Sequence, residues 1–140
     1  MNDFNLEDFR PLDNLIKKTR STVRELMDSH FSKIDHDEER KIIEMRYFLK
    51  TFDFIRKKWN VEILYELEIH KGMNFNELTR HLEGISSRSL SDSLKELENL
   101  NFITRSVQDE RPPKVFYELT EKGKGFIELS QFIIMYLVGI

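Results

Sequence analysis

The chain has 140 residues, a length that fits one ordinary domain with a short extension. Hydrophobic residues make up 39% of it, enough for a core, and the 34% of charged residues carry both signs, which argues against disorder. The formal net charge of −3 argues against a general nucleic-acid coat protein but leaves room for a locally basic surface. Because there is no cysteine, a disulfide scaffold, a thiolate zinc site and a cysteine redox switch are excluded.

The ends of the chain carry no pattern typical of a targeting or membrane segment. The first residues include Asp3 and lack an apolar h-region, so we expect no secretory signal. The most apolar stretch, residues 132–140, is far shorter than the roughly 20 residues that cross a bilayer. We therefore expect a cytoplasmic protein with no membrane partner, whose apolar end packs against a second copy of the chain.

A long amphipathic helix is predicted from Pro11 to Ile34, since apolar residues recur there at helical spacing and proline suits a first turn. Residues 35–39 predict a break followed by the acidic first turn of a second helix, whose apolar period continues from Ile42 to Ile55. We interpret residues 1–43 as an N-terminal helical extension used for dimerisation and residues 44–140 as the main domain.

The second half of the chain predicts shorter elements. A helix headed by Trp59 ends near Gly72, and a helix of about two turns begins at Asn74 or Phe75. After a turn at residues 84–85, a helix capped by Ser86 carries a stripe of four leucines, at positions 90, 94, 97 and 100, that we expect to be buried. Strands at 102–107 and 115–119 form a two-stranded hairpin, and Thr120 caps the last helix. This order predicts a mostly α fold with a small β-hairpin wing (α+β), a winged helix-turn-helix with additional terminal dimerisation helices.

The helix at residues 86–99 occupies the position of a recognition helix, which enters the major groove of duplex DNA with its N-terminal residues near the base edges. Arg88 is the strongest candidate for a base or phosphate contact, because a guanidinium group can bond guanine with two hydrogen bonds. Lys95 lies about two turns later and can reach phosphate. Small hydroxyl side chains that permit close approach to the duplex are Ser86, Ser87 and Ser91.

The wing, residues 105–115, adds basic side chains at Arg105, Arg111 and Lys114, opposed by Asp109 and Glu110. A basic hairpin tip beside a recognition helix is suited to backbone or minor-groove contact. Asn76, in the helix before the recognition helix, completes the candidate DNA-binding residues.

Several short motifs, in this order and spacing, resemble one known family. They are Lys58-Trp59, residues 63–67 (ILYEL), residues 75–78 (FNEL), residues 84–86 (GIS), Leu90-Ser91, residues 94–98 (LKELE) and residues 112–123 (PPKVFYELTEKG). From about Phe52 to Leu129 the chain resembles the HxlR-type branch of the MarR-like winged-helix regulators. The resemblance implies a homodimeric transcriptional regulator that binds double-stranded DNA, with terminal helices at the dimer interface and the residues of the recognition helix and wing on DNA.

The chain departs from this family in two respects. Members often carry a cysteine near the N-terminal edge of the domain and some respond to oxidants through it, whereas this chain has none. Asp92 and Ser93 stand where relatives commonly have long polar or basic residues, so the resemblance transfers no target sequence. The first 40 or so residues lie outside it.

Other functions find less support in the sequence. Apart from a loose grouping at Asp35-His36-Asp37, the four histidines (His30, His36, His70 and His81) show no metal-ligand spacing on a shared helix face, so neither a metal nor another cofactor is expected. No catalytic grouping is recognisable, and we expect no enzyme activity. Aromatic side chains at positions 48, 52, 54, 59 and 75 could line a pocket for an unknown small-molecule effector, although core packing is favoured. The acidic net charge, Asp92 and Glu96 support an alternative, a winged-helix module for protein assembly without DNA readout.

Overall fold

The computed structural model describes residues 5–139. A short 3-10 helix, Leu6–Phe9, precedes the elements of the fold. These are α1 (Pro11–Ser32), α2 (Glu38–Lys50), α3 (Asp53–Arg56), α4 (Lys58–His70), β1 (Met73–Asn74), α5 (Phe75–His81), α6 (Ser87–Asn99), β2 (Ile103–Gln108), β3 (Lys114–Leu119) and α7 (Glu121–Val138). The described chain divides into two compact units, one of residues 52–129 and the other of residues 5–51 together with 130–139. Among the described helices, none has the length and hydropathy that a bilayer crossing requires.

Residues 52–129 form the winged-helix unit, whose core lies between helices α4, α5 and α6 and the sheet. Each helix contributes apolar side chains at helical spacing to this core. Its fully buried residues include Ile63, Leu64, Leu67, Met73, Leu78, Leu90, Leu94, Leu97 and Ile103. The predicted burial of Leu100 was wrong: it is 37% exposed, because α6 ends at Asn99 and Leu100 is the residue that follows the helix. Burial of each such side chain contributes about 1.5–3 kcal/mol, so this cluster fixes the direction of the outer face of α6.

The sheet has three antiparallel strands in the order β1-β3-β2. The prediction of a two-stranded hairpin was therefore incomplete, although the wing strands themselves are confirmed. Met73 of β1 pairs with Tyr117 of β3, and Asn74 pairs with Phe116. A strand of two residues is too short to show an alternating pattern, and only the pairing with β3 defines it.

The predicted helix starts are confirmed by their caps. The side-chain oxygen of Asn74 accepts a hydrogen bond from the amide of Glu77 at 2.9 Å, and the Glu77 carboxylate accepts one from the Asn74 amide, completing a capping box. Oγ of Ser86 accepts from the Ser89 amide at 3.0 Å. Oγ1 of Thr120 accepts from the Gly123 amide, also at 3.0 Å. The winged helix-turn-helix fold class is confirmed.

The helical period predicted to continue from Ile42 to Ile55 is interrupted, and this part of the prediction was wrong. Helix α2 ends at Lys50, and the separate turn α3 begins at Asp53. The hydroxyl of Thr51 donates to the carbonyl oxygen of Phe48 at 2.6 Å. Such a bond from a hydroxyl to the backbone competes with helix continuation and favours an end at this position.

Helices α1 and α2 belong to the other unit, together with residues 130–139. Neither helix has a buried residue. Apolar side chains that stay largely exposed include Val23, Leu26 and Met27 on α1, Ile43 and Phe48 on α2, and Ile133 and Leu137 near the end of the chain. The amphipathic stripe predicted for α1 is present, but the single chain covers it only in part. Leu12, Ile16 and Phe31 are half-buried and Ile34 is buried, whereas the remaining members, Leu15, Val23, Leu26 and Met27, are exposed.

Candidate nucleic-acid interface

Helices α5 and α6 form the helix-turn-helix. Gly84 lies in the turn between them with φ of 85°, a left-handed backbone conformation that favours glycine. Leu78 of α5 and Leu90 of α6 are both completely buried, so the two helices are held on the same core. The opposite face of α6 is the candidate reading surface.

The first turn of α6 presents the residues expected to approach DNA. Ser87 and Arg88 are exposed. The hydroxyl of Ser86 is engaged within the cap, because it accepts from the Ser89 amide and donates to the Ser89 hydroxyl, each at 3.0 Å. Ser86 therefore acts on the helix start, whose amide groups and positive dipole end attract phosphate.

Three predicted site residues line one groove between α6 and the sheet. Ser91, Lys95 and Arg105 border a groove of about 530 Å³ whose apolar lining includes Phe75 and Val115. Lys95 and Arg105 are exposed, so two cationic side chains from different elements share one surface, together with the exposed carboxylate of Glu98. A polyanion backbone is the ligand that such an arrangement suits.

A second cleft, of about 450 Å³, lies between α5 and the wing. It contains the predicted residues Asn76 and Lys114, and it also contains Arg80. The sequence prediction omitted Arg80. Its position four residues after Asn76, on the same face of α5, is the signal that could have identified it.

Arg111 is exposed in the loop between the wing strands, outside the residues that line these two clefts. The strands pair in register as far as Gln108 and Lys114, so residues 109–113 form the tip. Nζ of Lys114 lies 3.7 Å from a carboxylate oxygen of Glu110, an exposed pair that leaves the lysine accessible to another anion.

The acidic side chains of α6 differ in their surroundings. Glu96 accepts a hydrogen bond from Nζ of Lys57 at 2.5 Å, so its negative charge is balanced by a lysine from the start of α4. Asp92 is exposed on the candidate reading face. Of the two carboxylates expected to oppose phosphate binding, one is thus neutralised locally.

The aromatic residues are distributed between core and surface. Phe54 stacks on Phe102 with ring centroids 4.9 Å apart, and Phe54, Trp59 and Phe75 pack against the buried core, as favoured from the sequence. Phe48 and Phe52 are about half exposed.

The expectation that no histidine shares a helix face with another potential metal ligand was wrong. His70 and Glu66 lie four residues apart on α4, and His81 of α5 joins them. The helical spacing of Glu66 and His70 was readable in the sequence, whereas the approach of His81 depends on the packing of α5 against α4.

The amino-acid sequence matches known helix-turn-helix proteins over the part of the chain that carries this fold. The HxlR-like helix-turn-helix family matches residues 54–137. The chain is 40% identical over 79 residues to a Fusobacterium mortiferum protein named as the regulatory protein MalR, covering 56% of this chain and 74% of that protein. It is also 40% identical over 81 residues to the HTH-type transcriptional regulator YodB of Bacillus subtilis, covering 58% of this chain and 71% of YodB.

Solved structures give the same result. The reduced form of B. subtilis YodB aligns with a TM-score of 0.57 and 34% identity, over 62% of this chain and 84% of YodB. A MarR-family regulator from Enterococcus faecalis V583 aligns with a TM-score of 0.60 and 28% identity, over 66% of this chain and 83% of that chain. The chain therefore belongs to the HxlR-like helix-turn-helix family and is a transcriptional regulator of the helix-turn-helix type.

Proposed function

We propose that this regulator is a homodimer that binds duplex DNA sequence-specifically, with α6 in the major groove and residues 105–115 on the backbone or in the minor groove. The observation that carries the proposal is the exposed first turn of α6, beside a groove bordered by Lys95 and Arg105. An exposed helix start beside two cationic side chains is suited to base reading combined with phosphate binding.

Base reading is assigned to the start of α6. Arg88 is exposed there, one residue after Ser87, where the N-terminal residues of a recognition helix meet base edges. Its guanidinium group is suited to two hydrogen bonds with guanine O6 and N7. Ser91, one turn later, is small enough to allow the helix close to the groove floor.

Phosphate binding is assigned to side chains in the two neighbouring clefts and at the wing tip. Lys95 and Arg105 border one groove, Asn76, Arg80 and Lys114 lie in the neighbouring cleft, and Arg111 stands at the wing tip. These groups come from α5, α6 and the wing, so they can contact several phosphates along the backbone. Contacts of this kind set orientation and bulk affinity, and carry no sequence information directly.

Dimerisation is assigned to the helices at both ends of the chain. These are the N-terminal extension, residues 1–43, and the last helix of the domain formed by residues 44–140. Leu26 is 65% exposed and Leu137 is 69% exposed, in a unit with many other exposed apolar side chains. Large apolar side chains left exposed together in this way are typical of a surface that another chain covers. A two-fold dimer buries it and sets two recognition helices about one DNA turn apart, which requires a pseudo-palindromic site.

The test is a fluorescence anisotropy titration with duplex from upstream of the regulator's own gene and with a scrambled duplex of equal length. We expect the upstream duplex to bind at least about 10³-fold more tightly, with log affinity falling linearly as log salt rises. Equal, salt-insensitive binding to both duplexes would instead favour a protein-assembly module, which the exposed carboxylate of Asp92 suits.

A further inference from the structure

Three potential metal ligands lie together between α4 and α5 in the winged-helix unit. Oε2 of Glu66 lies 3.1 Å from Nε2 of His70 and 3.4 Å from Nδ1 of His81. The three ligand atoms all lie within 4.8 Å of one another. None of these residues belongs to the surface assigned to DNA, so the cluster needs a separate explanation.

The scaffold holds the three side chains in place. Glu66 and His70 are one helical turn apart on α4 and so point to the same side. His81 is the last residue of α5. Leu67, next to Glu66 on α4, and Leu78, three residues before His81 on α5, are buried in the common core. The ligands thus come from two rigid helices rather than from a loop, a favourable basis for a defined site.

The short contacts within the cluster do not have the direction of hydrogen bonds. Oε2 of Glu66 is buried and, within residues 5–139, accepts no hydrogen bond. The rings of His70 and His81 meet edge to face with centroids 4.7 Å apart. A buried carboxylate oxygen without a donor is unfavourable. A cation bound between the oxygen and the two ring nitrogens would satisfy all three atoms.

We propose that Glu66, His70 and His81 form a binding site for a late first-row divalent cation, Zn²⁺ being favoured. Imidazole nitrogen with carboxylate oxygen is a ligand set that suits zinc and its neighbours, whereas Mg²⁺ and Ca²⁺ require more oxygen ligands. Ligands bonded to tetrahedral zinc at about 2.0–2.1 Å lie about 3.4 Å from one another. Both distances from Glu66 Oε2 are close to that value.

Three protein ligands leave a fourth position for water, and the imidazoles are accessible, with His70 40% and His81 41% exposed. The ion would link α4 to α5, the first helix of the helix-turn-helix. Because the ligands converge only in the folded chain, metal binding would stabilise this unit against unfolding.

The test is thermal unfolding of the full chain, prepared without a histidine tag and stripped of metal with EDTA. Saturating ZnCl₂ is expected to raise Tm by about 5 °C or more, and MgCl₂ to leave it unchanged. His70→Gln and His81→Gln should each abolish most of the zinc shift, and because both side chains are partly exposed the metal-free Tm should change little.

His30→Gln is the matched control, because His30 contacts a single carboxylate, Glu44, in the other unit. It should retain the full zinc shift. Co²⁺ added to the parent chain should produce a visible absorption band that is absent from the double variant H70Q/H81Q. The proposal is overturned if the double variant keeps the parent's zinc shift, or if the parent shows neither a zinc shift nor a cobalt band.

Discussion

Lys57 and Glu96 are 39 positions apart in the chain, and Nζ of the lysine lies 2.5 Å from Oε2 of the glutamate. The contact joins the start of α4 to the solvent side of α6. The lysine side chain is 59% exposed, so the pair adds only about 0.2–1 kcal/mol to stability. Its larger effect should be electrostatic, since it balances a carboxylate on the helix proposed to meet DNA.

Lys57→Met should therefore lower duplex affinity at low salt, because Glu96 is left unbalanced beside phosphates, and the loss should fade as salt rises. Anisotropy titrations at several salt concentrations measure this effect. Glu96→Gln in the same background should restore affinity. Lys58→Met is the matched control, since Nζ of Lys58 lies over the Trp59 ring rather than against a carboxylate. Equal losses in the two lysine variants would contradict the role given to the pair.

Arg88→Ala tests base reading. If the guanidinium group bonds a guanine, specific binding should weaken by about 1–3 kcal/mol while binding to scrambled duplex changes much less. Competition titrations with the two duplexes give this ratio. Arg111→Ala serves as the comparison, because loss of a phosphate contact should weaken both duplexes alike and reduce the salt slope by about 1. Unchanged affinity in the Arg88 variant would exclude the proposed reading surface.

Leu26→Glu tests the dimer. Leu26 is 65% exposed on α1, and a charge there would be buried at the proposed two-fold interface. We expect sedimentation at micromolar concentration to detect a shift from dimer to monomer. Glu25→Lys, at the adjacent exposed position outside the apolar stripe, should remain dimeric. A parent chain that sediments as a monomer would refute the assignment without any variant.

The sequence predicted the winged-helix elements well because their signals are local. Helical spacing of the leucines in α6, and capping residues at Asn74, Ser86 and Thr120, specify where helices run and begin. The candidate site followed from the order of these elements, since a helix-turn-helix followed by a basic hairpin defines a reading helix and a wing.

Features that depend on long-range packing were missed. β1 exists only through its pairing with Phe116 and Tyr117, more than 40 residues later. The Lys57–Glu96 pair and the approach of His81 to Glu66 likewise join residues from different elements. No periodicity within one segment encodes such contacts, so single-segment patterns could not reveal them.

Glu44 is predicted to make the stability of the unit that contains α1 and α2 fall at acid pH. Its hydrogen bond with His30, whose Nε2 lies 2.6 Å from Oε2, and the nearby Arg40 hold the pKa of Glu44 below its ordinary range. A lowered pKa contributes stability that is present above the ordinary value of about 4.3 and is lost as pH falls through the lowered value. Glu44→Gln should reduce the fall in Tm at acid pH in a plot of Tm against pH. Glu25→Gln, at an exposed position of α1, should leave that fall unchanged. An identical fall in Tm in both variants would count against the His30 contact.

Two glycines at the start of α7 provide a matched pair for the junction between sheet and helix. A Cβ at Gly123 would overlap the carbonyl oxygen of Phe102 and lie 3.1 Å from Cδ2 of Leu119, whereas a Cβ at Gly125 would meet nothing within 4 Å. The Phe102 carbonyl also accepts a hydrogen bond from the Thr120 amide at 3.0 Å, so it is not free to move away. Gly123→Ala should therefore lower the free energy of unfolding by about 1–3 kcal/mol through overpacking.

Gly125→Ala should raise the free energy of unfolding by about 0.5–1 kcal/mol, because alanine loses less backbone entropy than glycine when a helix forms. Both substitutions make the same chemical change two residues apart in one helix, so the difference between them isolates the contact with Phe102. Urea unfolding of the two variants measures that difference. A similar gain in stability at both positions would mean that α7 does not approach the start of β2 as closely as described.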